Sequence, residues 1–469
     1  MVMLALCGLA ACSSGSDTPR SSSTSSGSAG GSTVTTRSTA GTTSTADGSA
    51  RGPHWTTYFG DNARTGIASD GPASPRAAKK LWASPKLDGD LYAQPLLIGQ
   101  RVIVATENDT VYSLDASNGS VVWKDHLGEP VPGSSLPCGN VDPVGITSTP
   151  VIDETGTGRV YAVGMVRPGR HMLFELDLSD GHLVGSKPVD VDGADPGVHN
   201  QRGALSLVNS EVLVPYGGRL GDCGDYHGRL VAAAVSGAGI GAVTSYTLPT
   251  EGRGGWWAPP GAAVASDGSF YLASGNSSSS ETFDYGNSVV RFSTDLRVLD
   301  SFAPKDWRTL DEQDGDLGST SPVLLAGDRV FQVGKAGIAY LLKAKHLGGI
   351  GGELDSTRVC STSAFGGVAH DGGTLFVPCS DGVVQVVVNG DGFRVGWTAA
   401  LTSPGPTIIA GGAVWTVATQ SGDLVALDPS SGKVVFSQPV GNVPSRFTSA
   451  AAGGGRVILG AGRTVFAFG

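Results

Sequence analysis

From about residue 90 onward, apolar and polar positions alternate along this chain in short runs, and the runs recur. The clearest unit begins Tyr92-Ala93-Gln94-Pro95-Leu96-Leu97-Ile98, turns at Gly99-Gln100, and continues as Arg101-Val102-Ile103-Val104-Ala105-Thr106. Thr110-Val111-Tyr112-Ser113-Leu114-Asp115 follows, then a turn ending at Gly119, then Ser120-Val121-Val122-Trp123. A period of two is that of strands with one buried face. No long stretch carries apolar residues at helical spacing, so the expected class is all-β.

Seven such units start near Tyr92, Ser148, Arg202, Pro260, Ser319, Phe365 and Gly405. An eighth is incomplete: Phe447 to Phe468 supplies three strands, and the missing outer strand is available at Lys80-Leu81-Trp82-Ala83. A spacing of about 40–60 residues is near that of propeller repeats, and radial repetition keeps strand edges short and protected. The expected fold is therefore an eight-bladed β-propeller of four-stranded antiparallel blades, its ring closed by N- and C-terminal strands sharing one blade. Seven blades is the alternative count.

Composition agrees. Gly (71) and Pro (26) are abundant and charged residues are 16% of the chain, as suits many strands joined by tight turns. A net charge of −10 argues against a nucleic-acid partner, which would call for a basic footprint.

The N-terminus reads as an export signal. Met1 to Ala11 is short and apolar, and Leu9-Ala10-Ala11-Cys12 resembles the lipobox of bacterial lipoproteins, a resemblance that implies acyl chains on Cys12. No Lys or Arg precedes the apolar run, which leaves room for a start upstream of Met1. Residues 13–52 are almost all Ser, Thr, Gly and Ala, too polar to offset the entropy of ordering, and are expected to be a flexible tether. The expected organisation is a signal and lipobox over 1–12, the tether over 13–52 and the propeller over 53–469. The resulting expectation is an extracytoplasmic monomer held at the cell membrane by lipid alone.

Four further cysteines, Cys138, Cys223, Cys360 and Cys379, suggest disulfides in an exported protein, and four allow three pairings. In an up-and-down blade, the loops joining the second strand to the third emerge on the same face as the loops joining successive blades. Cys138 and Cys223 fall in such loops near one another, and so do Cys360 and Cys379. The expected pairs are Cys138–Cys223 and Cys360–Cys379. The same face collects Glu107, Asn108, Asn140, Asp142, Asp222, His227, Asn276, Asp284, Asp311, Asp314, Asp316 and Lys335. Sequence-distant acids converging on one channel mouth are how a ligand or metal site would be built.

Asp115-x-x-x-Gly119-x-x-x-Trp123 resembles the tryptophan docking motif of quinoprotein dehydrogenases and of related non-enzymatic propellers. Asp428-x-x-x-Gly432-x-x-x-Phe436 is a second copy with Phe for Trp, and Asp177-x-x-x-Gly181 a third with Gly185 in the Trp place. Trp55, Tyr58 and Gly66 look like the lead-in segment of the same propellers. The motif marks a fold rather than an activity. The resemblance to quinoprotein alcohol dehydrogenases goes further in chain order. Those enzymes bind pyrroloquinoline quinone (PQQ) and Ca²⁺, and the resemblance implies Asp222 and Asn276 as metal ligands. It implies Asp316, with Asp314, as the catalytic carboxylate, Lys335 as the quinone-contacting cation, and Trp256 or Trp257 as the ring beneath the quinone. A carboxylate base beside a metal-bound quinone suits alcohol oxidation. Two departures weigh against it. The family's adjacent Cys-Cys pair is missing, since Gly139 follows Cys138, and an Asp stands where the family has a metal-ligating Glu. The leading expectation is a binding or scaffolding propeller without a cofactor, taking a protein or small-molecule ligand at the channel face. A PQQ- and Ca²⁺-dependent dehydrogenase is the alternative.

Overall fold

The computed structural model describes residues 54–275, 277–279 and 281–469. Cys12, the signal and tether segments, and Asn276 lie outside the described residues, so the roles expected of them are not placed by it.

Eight antiparallel sheets make eight blades. Blade 1 consists of Leu96–Ile98, Arg101–Ala105, Thr110–Asp115 and Val121–His126, paired in that order. Blade 5 has the same order in Val323–Leu325, Arg329–Val333, Ile338–Lys343 and Asp355–Arg358. In blade 8 the three C-terminal strands Ala451–Gly453, Arg456–Ala461 and Thr464–Phe468 receive Lys80–Ala83 as the outermost strand. Lys80 stands opposite Phe468 and Ala83 opposite Phe466. The ring thus closes by hydrogen bonds between the two ends of the chain, as the repeat arithmetic requires. Blades 1, 3 and 4 each carry a fifth strand: His54–Trp55 pairs with Leu97 and Ile98, His199–Asn200 pairs with Gly217 and Gly218, and Gly349–Ile350 runs parallel to Val298–Ala303.

The apolar core lies between neighbouring blades. Leu213 and Leu230 of blade 3 cluster with Phe270 and Phe292 of blade 4, and Phe331 and Val333 of blade 5 cluster with Leu375 and Val377 of blade 6. Three joints carry the docking motif. The Trp82 ring lies on Gly119, Trp123 on Gly181 and Trp397 on Gly432. Each indole N–H donates to the carbonyl one residue beyond the motif's Asp: Ala116 at 3.0 Å, Leu178 at 3.3 Å and Pro429 at 2.9 Å. The ring therefore comes from the preceding blade in every case, and Gly181 receives Trp123 although its own blade has Gly185 at the aromatic position. Phe436 packs instead on Trp415 and on Phe468 of blade 8.

Residues 54–70 thread the middle of the ring. Trp55, Tyr58 and Phe59 are fully buried. Gln94 accepts from the Trp55 indole and the Phe59 amide, both at 2.8 Å, and donates to Ser449 and Ala450 of blade 8. Arg64 donates to the carbonyls of Leu205 in blade 3 and Ala262 in blade 4. Further along, Thr65 meets His370, and Gly66 and Ala68 meet Ile409. This lead-in segment thus ties together the inner strands of several blades. Among the described residues no helix is long and apolar enough to cross a membrane.

Candidate functional site

On the face where blade-to-blade loops emerge, three aromatic rings from three joints meet. Trp257 comes from the loop between blades 3 and 4, Phe365 from that between 5 and 6, and Phe447 from that between 7 and 8. Their centroids are 6.5 Å (Trp257–Phe365), 6.1 Å (Trp257–Phe447) and 6.1 Å (Phe365–Phe447) apart. Each ring also carries a cation: Lys335 lies 5.4 Å from the Trp257 centroid, Arg446 4.5 Å from Phe365 and Arg202 4.5 Å from Phe447. Cation–ring contacts of this length are attractive and strengthen as water is removed.

Lys335 occupies the tight turn between two blade 5 strands. Its ammonium reaches Asp314 at 2.7 Å and Asp316 at 2.6 Å, and its amide donates to the Asp316 carbonyl at 2.9 Å. Burial opposes the charge on Lys335, but the two carboxylates override it and hold the ammonium above its ordinary range. Asp316 is only 3% exposed. Gly275 comes so close that an added methyl would lie 2.9 Å from both an Asp316 oxygen and the Trp257 indole nitrogen. A loop network fixes this approach. Asp311 accepts from the Ser277 amide and the Asn287 side chain, both at 2.8 Å, and Asn287 accepts from the Leu317 amide at 2.7 Å. Burial pushes the Asp311 carboxyl up to about 6. Asp284 ties the same loop down by accepting from Ser277 and from the Glu251 amide.

The disulfides join Cys138 to Cys223 and Cys360 to Cys379, the pairing expected from the loop rule. The first holds the blade 1–2 connection against the blade 3 loop, where Arg219 also donates to the Gly197 carbonyl at 2.6 Å.

The structure brings Trp257, Asp314, Asp316 and Lys335 into one corner. It does not bring Trp256 there. That ring is 1% exposed and packs against Phe292 in the core of blades 3 and 4, because its amide donates to the Tyr216 carbonyl and turns its side chain inward. Asp222 accepts the Tyr226 hydroxyl at 2.7 Å. Among the described residues the one trio of carboxylate or imidazole groups close enough to share a metal ion is Asp177, Asp180 and His182 at the blade 2 turn. Sequence reasoning passed over Phe365, Phe447, Arg202 and Arg446. The signal available for them was an aromatic residue at the start of a repeat unit, with Arg directly before it in the case of Phe447.

Among the described residues, the Trp257 corner is a poor fit for a quinone. A planar quinone needs a bare aromatic face, and Lys335 stands over one face of Trp257, with the Phe365 and Phe447 centroids 6.5 and 6.1 Å from its own. The carboxylate that would act as base is already engaged by the same Lys335. The covering pair of adjacent cysteines is replaced by a bond from Cys138 to the distant Cys223.

Comparisons with known proteins agree with the architecture. The family described as outer membrane protein assembly factor BamB matches at residues 16–236 and 380–468. Among solved structures, a europium-containing methanol dehydrogenase superposes with a TM-score of 0.67 at 13% identity, over 89% of this chain and 98% of that one. The quinohemoprotein alcohol dehydrogenase of Comamonas testosteroni gives 0.65 at 15% identity, over 89% and 81%. Quinohemoprotein alcohol dehydrogenase ADHIIG of Pseudomonas putida HK5 gives 0.65 at 14%, over 88% and 80%. At such identities the likeness is one of fold. No curated protein sequence matches the chain.

Proposed function

The chain belongs to the family described as outer membrane protein assembly factor BamB, and from that premise we propose that it is a binding or scaffolding propeller rather than a quinone enzyme. In this reading it is exported, held at the membrane by lipid on Cys12, and presents its loop face to a protein or small-molecule ligand. The observation that carries it is the engagement of Lys335 with Asp314, Asp316 and the Trp257 face. Those four groups are the ones a quinone reaction would need free, and here they satisfy one another. A loop face rich in aromatic and Arg side chains from separate blades suits recognition, since such residues dominate binding energy at interfaces.

The convergence of Trp257, Asp316 and Lys335 in one corner is also what favours the second reading, a PQQ- and Ca²⁺-dependent alcohol or sugar dehydrogenase. Supplying PQQ and Ca²⁺ to the purified protein and removing free quinone separates the two. The binding-module reading expects no retained quinone absorbance. Retained quinone at one per chain, lost in Lys335→Ala, would overturn it. The anchor is tested apart from this. Intact mass of membrane-extracted protein should show acyl chains on Cys12, and Cys12→Ser should leave the membrane fraction.

A further inference from the structure

A cleft of about 490 Å³ opens on the loop face between blades 1 and 2, and its lining shares no residue with the aromatic corner. Leu127, Val166, Met172 and Phe174 form its floor, and Arg167 and Arg170 stand at its mouth. We propose that this cleft binds a medium-chain fatty acid, the carboxylate on the arginines and the tail between the two blades.

The floor is apolar and open. Leu127 follows directly on the outer strand of blade 1, and Val166, Met172 and Phe174 belong to the two middle strands of blade 2. All four pack on the core cluster that runs through blades 1 and 2, yet Leu127, Val166 and Met172 are only half-buried. Large apolar side chains left open side by side, rather than singly, are what a ligand groove presents. Met172 adds a flexible, polarizable thioether that adapts to the shape laid against it. The volume falls among small-molecule sites, which span roughly 300–1,000 Å³.

The charge at the mouth selects the head group. Arg167 and Arg170 bracket the loop between the second and third strands of blade 2, and both are exposed. Each is steadied at Nε alone: Arg167 donates to the Pro130 carbonyl at 3.2 Å, and Arg170 lies 3.3 Å from Asp190. Among the described residues no hydrogen bond or ion pair is made by their Nη groups. Asp190 is itself shared, since it accepts from the His171 amide at 3.1 Å and stands 2.9 Å from the His171 ring. The one carboxylate of the lining, Glu129, stands out in solvent, 77% exposed and 3.7 Å from His126. A guanidinium fixed at Nε, with both Nη groups open, is preorganised for a carboxylate.

A hydrocarbon chain suits this floor better than a peptide strand. The backbone beside the cleft is already paired: Pro130 bridges Val166, and the Arg167 amide donates to the Glu129 carbonyl at 2.8 Å. A peptide laid here would leave its own N–H and C=O groups without partners, which is costly, whereas methylenes have none to satisfy.

Calorimetric titration of the full chain with octanoate tests this, beside octanol, octylammonium and butyrate. Saturable octanoate binding is expected, with a dissociation constant on the order of 1 mM or below. Butyrate should bind at least about tenfold more weakly, because its tail buries four fewer methylenes. Arg167→Gln and Arg170→Gln, both at exposed positions, should together weaken octanoate about tenfold or more. Glu129→Gln should hold it as tightly or tighter. Octanol or octylammonium binding as tightly as octanoate would overturn the proposal in favour of an apolar cleft blind to charge. Butyrate binding as tightly would overturn it in favour of a bare anion site. No saturation by about 10 mM, or full affinity in the double arginine variant, would overturn it outright. The quinone test of the aromatic corner reads a different site and is indifferent to each of these outcomes.

Discussion

Trp82 seats its indole on Gly119. An added methyl at Gly119 would lie 2.4 Å from that ring, and the indole nitrogen donates to the Ala116 carbonyl 3.0 Å away. Trp82 belongs to the strand that completes blade 8 and Gly119 to blade 1, so this contact docks the blade that closes the ring onto its neighbour.

Substitution at the seam should therefore be costly for two reasons. Gly119 has φ +74°, a conformation that side chains rarely adopt, and the ring leaves no space for a methyl. Gly119→Ala should destabilise the protein by about 2 kcal/mol or more. Denaturant unfolding measures it, with Gly99→Ala as the control. Gly99 also has positive φ but an open surrounding, and should cost about 1 kcal/mol.

Lys335 compensates Asp316, which is almost wholly buried. Lys335→Met should cost about 2–3 kcal/mol, because removing one partner of a buried pair strands the other charge. Adding Asp316→Asn to the same chain should recover part of that loss. A double-mutant cycle in urea checks the coupling, and strict additivity of the two substitutions would contradict it.

The two disulfides should differ in how readily they are reduced. Cys138 and Cys223 are half-buried on the loop face, whereas Cys360 and Cys379 are fully buried between blades 5 and 6. Thiol–disulfide exchange requires access to sulfur. Mild reductant on the native protein should open Cys138–Cys223 first and leave Cys360–Cys379 until unfolding. Mass-spectrometric mapping after timed alkylation reads the order.

Glu107 and Asp109 should each withdraw stability as pH rises from acid toward neutral. The buried His171, His199 and His370 contribute in the opposite sense, because burial holds their imidazoles below the ordinary range. Burial pushes the Glu107 carboxyl from 4.5 up to about 7 and that of Asp109 from 3.8 up to about 9. In that range the unfolded chain has released protons that the native protein still holds, so ionisation favours unfolding. The Glu107 contribution is lost between pH 4.5 and about 7 and amounts to roughly 3 kcal/mol. Asp109, with no hydrogen bond to either carboxylate oxygen, extends the decline above pH 7. Thermal unfolding of the parent and of Glu107→Gln across pH 4.5–8 isolates the Glu107 contribution: relative to the variant, the parent should lose stability between pH 4.5 and about 7.

The aromatic corner was only half legible. Asp314, Asp316 and Lys335 stood out because a polar residue in a turn between apolar strands is conspicuous. Phe365 and Phe447 did not, because an aromatic ring beside a strand reads as core. Nothing local separates a ring that packs between blades from one that meets two others across the axis. That Oε1 of Glu107 is buried without a hydrogen-bond partner was equally invisible: a sequence shows that an acid is present, not whether the donors around it suffice.

What the sequence determined by itself was whatever depends on period and local turns. Alternation with period two set the strands. The unit count and the lone segment Lys80–Ala83 set eight blades and their closure, because an incomplete last blade has one partner left to find. The turn chemistry of Asp115, Asp177 and Asp428 with their glycines was readable for the same reason, since those bonds lie within five residues. The tertiary structure decided what crosses between blades. Gly181 receives Trp123, and Gly432 receives Trp397, from neighbours that no motif within one repeat names. Trp256 and Trp257 are adjacent and alike in sequence, yet one fills the core and the other reaches the face. The backbone bond from Trp256 to Tyr216 sets which way the alternation falls, and in an irregular loop that bond is chosen by the packing of two blades rather than by the residues themselves.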